Sequence, residues 1–168
     1  MKNTYTTIID GVHTMKKTLL LDKIQSRLKK TGLKFETTSD IIHFNMEIDN
    51  IVGKVAVFIQ ASENTILSYA VINNKIPKEQ YNSVSKYLHL ANYGLLYGNF
   101  EMDFNDGEIR YKLAIDCQDV ANIPNNYIDR SVLIPCQMIQ KYGKGIIQLM
   151  LGIGDPKFLI EEAEQNNN

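Results

Sequence analysis

Cysteine is scarce: Cys117 and Cys136 are the only two in 168 residues. Two thiols cannot build the disulfide framework of a small secreted domain, so a reducing cytoplasm is the expected location. Long apolar runs are missing as well. No stretch approaches the ~18 apolar residues of a membrane-spanning helix, which excludes a membrane-embedded protein of that kind. Leu19–Leu21 is too short for the apolar core of a secretion signal, and the start MKNTYTTIIDGVHT is polar. Nor is there an excess of either charge. The net of −1 gives no whole-protein attraction to nucleic acid or to an anionic membrane. His13, His43 and His89 are scattered, with no H-x-x-x-H or paired-cysteine spacing, so no metal site is read from them. What is present is globular: 44% hydrophobic and 22% charged residues, in a length that suits one domain. Residues 1–168 are read as that single domain, with 1–13 as a tail or docking segment and 166–168 as a frayed tail.

Periodicity then divides the chain. Leu20, Leu21, Ile24 and Leu28 recur at helical spacing within 14–30, where Lys29 and Lys30 suit the negative helix end and Gly32 stops it. Ile42, Phe44, Met46 and Ile48 alternate with polar residues, which marks a strand. A two-residue turn at Asp49-Asn50 predicts Phe44 opposite Val55 and Ile42 opposite Val57. KVAVFIQA and TILSYAVI, joined by a turn at SEN, complete a three-stranded meander. Pro77 opens a second helix whose stripe is Tyr81, Val84, Leu88, Ala91 and Leu95, ended by Gly98.

The stretch NFEMDFNDGEIRYKL raises a question of chemistry, because Glu101, Asp103, Asp106 and Glu108 could form an acidic site. A type I′ turn at Asp106-Gly107 answers it. That register sets Phe104 against Ile109, Met102 against Tyr111 and Phe100 against Leu113. On the other side Asp103 faces Arg110 and Glu101 faces Lys112. A three-residue turn over 105–107 would mix core with solvent. The carboxylates are therefore read as a solvated hairpin face with matched cations. Farther on, SVLIPCQMIQKYGKGIIQLMLGIG predicts a helix capped by Ser131 or begun at Pro135, with a break near Gly143 and Gly145. Asp155-Pro156 opens a last, acidic helix.

The remaining candidates have plain structural readings. Cys117 and Cys136 are small core residues rather than nucleophiles. YGKGIIQ and LGIGDPK resemble fragments of phosphate loops but match no phosphate-binding pattern, and turn or helix-end glycines are the favoured reading. Lys16, Lys17, Lys23, Arg27, Lys29 and Lys30 line one helix without interleaved aromatics, so they read as a solvated face and not as a nucleic-acid site. The first meander is different. Val55, Val57 and Ile59 serve one face, yet the opposite positions hold Ala56 and Phe58, with Tyr69 and Val71 on the next strand. Such a patch needs a cover, from the C-terminal helices, a second subunit or a protein client.

The element order and the junction LHLANYGLLYGNFEMDFNDGEIRYKL resemble the YbjN family of bacterial proteins over about residues 14–165. Asn92, Gly98, Phe100, Asp106 and Gly107 fit that family's asparagine, glycine-aromatic strand start and turn. The resemblance implies a fold like that of the type III secretion chaperones, homodimers, and binding of partner polypeptide segments without ATP. The family is labelled as sensory-transduction regulators, and no catalytic residue is carried over from it. The expected fold is α+β, with an antiparallel sheet of about five strands and helices packed on it, in the order α-β-β-β-α-β-β-α. The expected function is a non-enzymatic protein-binding module, a chaperone-like or regulatory adaptor, with no cofactor, no metal and no catalytic residue. Its candidate interface is Phe58, Tyr69, Val71, Tyr87 and Ala91. The rival expectation is a small-molecule or phosphate binder built on the glycine-rich segment 143–154 with Lys144.

Overall fold

The computed structural model describes the backbone of residues 4–48 and 51–165, with side chains from residue 12 onward. Helix α1, Thr4–Lys30, leads into strands β1 (Glu36–Thr38), β2 (Ile41–Glu47), β3 (Lys54–Ser62) and β4 (Thr65–Ile72). A 3-10 turn at Lys78–Gln80 precedes helix α2 (Tyr81–Gly94), and the hairpin β5 (Asn99–Met102) and β6 (Ile109–Asp116) follows. Helices α3 (Asn125–Met150) and α4 (Pro156–Gln165) complete the chain. The sheet is antiparallel throughout, in the order β1-β2-β3-β4-β6-β5. It has one strand more than expected, the short edge strand β1. The segment read as a tail or docking strand is largely the first part of α1, and residues 1–3 and 166–168 lie outside the described residues.

All the helices lie on one face of the sheet. Ile42 and Phe44 of β2, Val55, Val57 and Ile59 of β3, Ala70 and Ile72 of β4, and Ile109 and Tyr111 of β6 are buried there. Leu20, Ile24 and Leu28 of α1 meet that surface, as their spacing predicts. Helix α3 packs across β4 and β6, and α2 packs on β5, α3 and α4.

Both predicted hairpin registers are displaced by two residues. Phe44 stands opposite Val57 and Ile42 opposite Ile59, because Glu47 pairs with Lys54 and the turn takes 48–53. Asp49 and Asn50 themselves lie outside the described residues. In the other hairpin Phe100 faces Tyr111, Glu101 faces Arg110 and Met102 faces Ile109. The Asp103 N–H donates to Glu108 O and the Gly107 N–H donates to Asp103 O, so residues 104–107 form a four-residue loop. Gly107 takes φ +78 at its end, and a Cβ there would lie 2.3 Å from Ile76 O, so the loop docks on the segment before α2. Phe104 is consequently exposed, edge-on to Tyr81, instead of facing the core. Each shift is even, so the residues that remain paired in the strands keep their expected faces.

Helix α3 runs unbroken where a cap at Ser131, a start at Pro135 or a break near 143–145 was expected. Pro124 is its N-cap residue and Pro135 lies in its interior. Proline supplies no N–H to the carbonyl four residues back, which here belongs to Ser131. The Ser68 hydroxyl of β4 donates to that carbonyl at 2.5 Å, so the bond lost within the helix is replaced from the sheet. Gly145 faces Tyr87, whose hydroxyl would sit 2.4 Å from an added Cβ. That close approach explains a helical glycine without a hinge. Helix α2 ends at Gly94 rather than Gly98, which instead opens β5 with φ +66. Asp155 caps α4 as expected, accepting from the N–H groups of Lys157 and Phe158.

Candidate protein-binding face

The sheet's second face is left uncovered by the four helices. Alternation places Ile41, His43 and Asn45 of β2 there, with Ala56, Phe58 and Gln60 of β3, Leu67, Tyr69 and Val71 of β4, and Arg110 and Lys112 of β6. Phe58 pairs directly with Tyr69, and Ala56 with Val71. Most of these residues are half-buried by their neighbours in the sheet, while Asn45 is exposed and Ile41 is 37% exposed. Ile41, Ala56, Phe58, Gln60, Tyr69, Val71 and Arg110 line a shallow groove of about 460 Å³. Three of the five predicted interface residues, Phe58, Tyr69 and Val71, are thus brought together on one surface.

The other two are not on it. Tyr87 and Ala91 are both 0% exposed, and the Tyr87 hydroxyl donates to Tyr142 O. They belong to the α2–α3 packing. Ala91 belongs to the helical stripe and Tyr87 adjoins it; such a stripe is a core signature, and the pattern alone does not distinguish an internal partner from an external one.

Polar side chains frame the apolar band. The Arg110 guanidinium lies 4.7 Å from the Tyr69 ring centroid and donates to Glu101 Oε2 at 2.8 Å. Lys112 Nζ donates to Glu101 Oε1 at 3.1 Å. Burial opposes the Glu101 carboxylate, but the hydrogen bonds from Arg110, Lys112 and Asn99 prevail and hold its carboxyl below the ordinary value. Asp106 and Glu108 accept from Lys75, and Asp103 accepts from the Asn105 N–H. The hairpin carboxylates are a matched outer face, though Glu101 pairs with both cations and Asp103 stabilises its own loop. On the far flank His43 stacks on Phe58 at 6.2 Å and lies 3.3 Å from Glu36. Ile41, Leu67 and the Arg110–Tyr69 contact were missed by sequence reasoning. The alternation of β2 and β4 carries the signal for the first two, whereas the last depends on β6 lying beside β4.

The glycine segment of the rival reading does not form a phosphate loop. The 143–150 segment is regular helix, so its backbone amides form no anion nest. Gly152 and Ile153 instead close α3 by donating to Leu149 O and Gln148 O, with Gly152 at φ +73. Lys144 is held by Glu162 at 2.5 Å, on the rim of a cleft of about 640 Å³ between α3 and α4. The Gln148 Oε1, a cleft-lining group, is buried without a hydrogen-bond partner among the described residues. Both thiols are buried, and burial raises the thiol of Cys136 to about 11, far from a reactive thiolate. Among the described residues no cluster of three or more His, Cys, Asp or Glu is arranged to hold a metal. The basic face of α1 is partly engaged: Lys17 with Asp40, Lys23 with Ala121 O, and Arg27 with Asp129. No described helix is long and apolar enough to cross a membrane.

No protein-family model matches the chain, and no curated protein matches its sequence. The fold does have a solved counterpart, the crystal structure of YbjN from E. coli, a candidate transcription regulator. It superposes with a TM-score of 0.58 at 16% sequence identity, over 74% of this chain and 92% of that one. At that identity the likeness is one of architecture: this chain has a YbjN-like α+β fold.

Proposed function

We propose that this protein is a non-enzymatic protein-binding module, a chaperone-like or regulatory adaptor of a reducing cytoplasm, that binds polypeptide on its uncovered sheet face. The observation that carries the reading is the one-sided coverage of the sheet, which leaves the Phe58–Tyr69–Val71 band without a layer over it. The likeness to YbjN supports a regulatory role only by analogy, because a fold hosts many functions.

A second copy of the chain is the first occupant to test, because the face is self-complementary. Phe58 on β3 and Tyr69 on β4 flank the line between the two central strands. A two-fold axis along that line would lay each Phe58 over the Tyr69 of the second copy. It would also lay the flank bearing Glu36 and Glu47 over the flank bearing Arg110 and Lys112. Light scattering on the wild type and Phe58→Asp tests this. The expected result is a wild-type dimer and a folded monomeric variant. Folded monomers of equal mass for both proteins would overturn the two-fold contact.

A further inference from the structure

A different surface lies at the edge of the sheet. Strand β6 pairs with β4 over its whole length, Ile109 to Asp116, but with β5 only from Ile109 to Lys112. Leu113–Asp116 therefore has a strand on one side alone. Gly98, at φ +66, turns the preceding chain away from the line of β5 at this point. A Cβ at Gly98 would lie 2.4 Å from Lys112 O, so the backbone crosses closely there.

The bare groups can be identified by alternation. The Cys117 N–H donates to Asn64 O at 2.6 Å, which directs residue 117 toward β4. The Asp103 N–H donates to Glu108 O at 2.9 Å, which directs residue 108 toward β5. In an antiparallel ladder successive residues point to opposite neighbours, so 110, 112, 114 and 116 point the same way as 108. Phe100 confirms the phase from the other strand: its outward N–H donates to Asn92 Oδ1 at 2.7 Å and its C=O accepts from Asn92 Nδ2 at 3.0 Å. Asn92 thus closes part of the edge of β5. The N–H and C=O groups of Ala114 and Asp116 face outward, and no described residue pairs with them on that side.

Beside this edge lies a groove of about 330 Å³, lined on the helix side by Tyr127, Arg130 and Ile134 of α3, with Tyr97 at its end. The Arg130 guanidinium lies 4.7 Å from the Tyr97 ring centroid and has no carboxylate partner among the described residues. Leu113 and Ile115 direct their side chains into the groove; Asp116 also lines it, but its Oδ1 accepts from Asn64 Nδ2 and the Gln118 N–H and it forms no ion pair with Arg130 among the described residues.

We propose that the Leu113–Asp116 edge of β6 is a strand-addition site for an extended, acidic polypeptide segment. The added strand bonds to the outward groups of Ala114 and Asp116. On its inner face one apolar side chain enters between Tyr127 and Ile134, and a carboxylate two residues away reaches Arg130.

Hydrogen exchange followed by NMR on the full chain tests this, with an end-capped pentapeptide of threonine, valine, threonine, glutamate and threonine as the probe. In the free protein the Ala114 and Asp116 amides exchange fast, while those of Leu113 and Ile115 are protected. Saturating peptide slows the first pair by about tenfold or more. A peptide with lysine in place of glutamate binds about two- to fivefold more weakly. Arg130→Glu reverses that preference, and Ala114→Pro, which removes an outward N–H, abolishes protection while leaving the melting transition near that of the wild type. The proposal is overturned if the Ala114 and Asp116 amides are already protected in the free protein, or if the peptide leaves them unchanged. It is also overturned if Arg130→Glu does not reverse the preference. Phe58→Asp leaves peptide binding intact, so failure here is separable from failure of the sheet-face reading.

Discussion

At the scale of single residues, the most informative contact is the one that allows a proline inside a long helix. An interior proline ordinarily costs about 3 kcal/mol, partly through the unpaired carbonyl it leaves. Ser68 is buried and donates to that carbonyl, on Ser131, from the neighbouring strand. Ser68→Ala should therefore leave a buried acceptor without a partner and destabilise the protein by about 1–3 kcal/mol in urea denaturation. In a Pro135→Ala background the alanine N–H can serve the same carbonyl from within the helix. The Ser68→Ala penalty should then fall by half or more. Equal penalties in the two backgrounds would mean that the hydroxyl acts through packing instead.

At the scale of elements, α1 is tied to the start of α3 by a two-point contact. Arg27 Nε and Nη2 donate to Asp129 Oδ1 and Oδ2, each at 2.7 Å. The hydrogen bond to Arg27, with its charge, holds the Asp129 carboxyl below the ordinary aspartate value. A depressed folded-state value means that the pair stabilises the fold above the unfolded aspartate range and that this contribution fades as the pH falls through the lower value. Wild type should exceed Asp129→Asn in stability at neutral pH, with the gap closing in acid, as thermal melts across a pH series would register. A constant gap would assign the effect to packing. This level also shows what was legible in the sequence. Alternation in IIHFNMEI and KVAVFIQA assigned faces correctly, and the Tyr81–Ala91 stripe assigned α2. The two hairpin registers slipped because loop length depends on the hydrogen bonds closing 48–53 and 103–108, which leave no periodic trace. The same limit explains α3: Pro135 reads locally as a helix start, and Ser68, far away in sequence, decides otherwise. Phe58, Tyr69 and Val71 were legible as apolar residues on a polar side of a sheet. The bare edge of β6 was not, since it exists only through the order β4-β6-β5.

At the scale of the whole molecule, a sheet covered on one side makes two chemically similar positions behave differently. Val57 and Val71 occupy adjacent central strands, but Val57 is 0% exposed beneath the helices and Val71 lies on the uncovered groove. Val57→Thr places a hydroxyl in a dry layer, at about 1–3 kcal/mol. For an isolated chain Val71→Thr should lie within about 0.5 kcal/mol of the wild type, as for a surface change. If a second copy covers the face, the Val71→Thr penalty becomes dependent on protein concentration, because association contributes to stability by mass action. Val57→Thr destabilises the monomer itself, so its penalty should persist where dimers are absent. Urea titrations of wild type and both variants at two concentrations, about a hundredfold apart, separate the cases. A Val71→Thr penalty that grows with concentration places the second copy on the sheet face. A small penalty at both concentrations leaves the face open to a different protein. A large penalty at both would mean that the chain covers the face itself, and the binding reading would lose its surface.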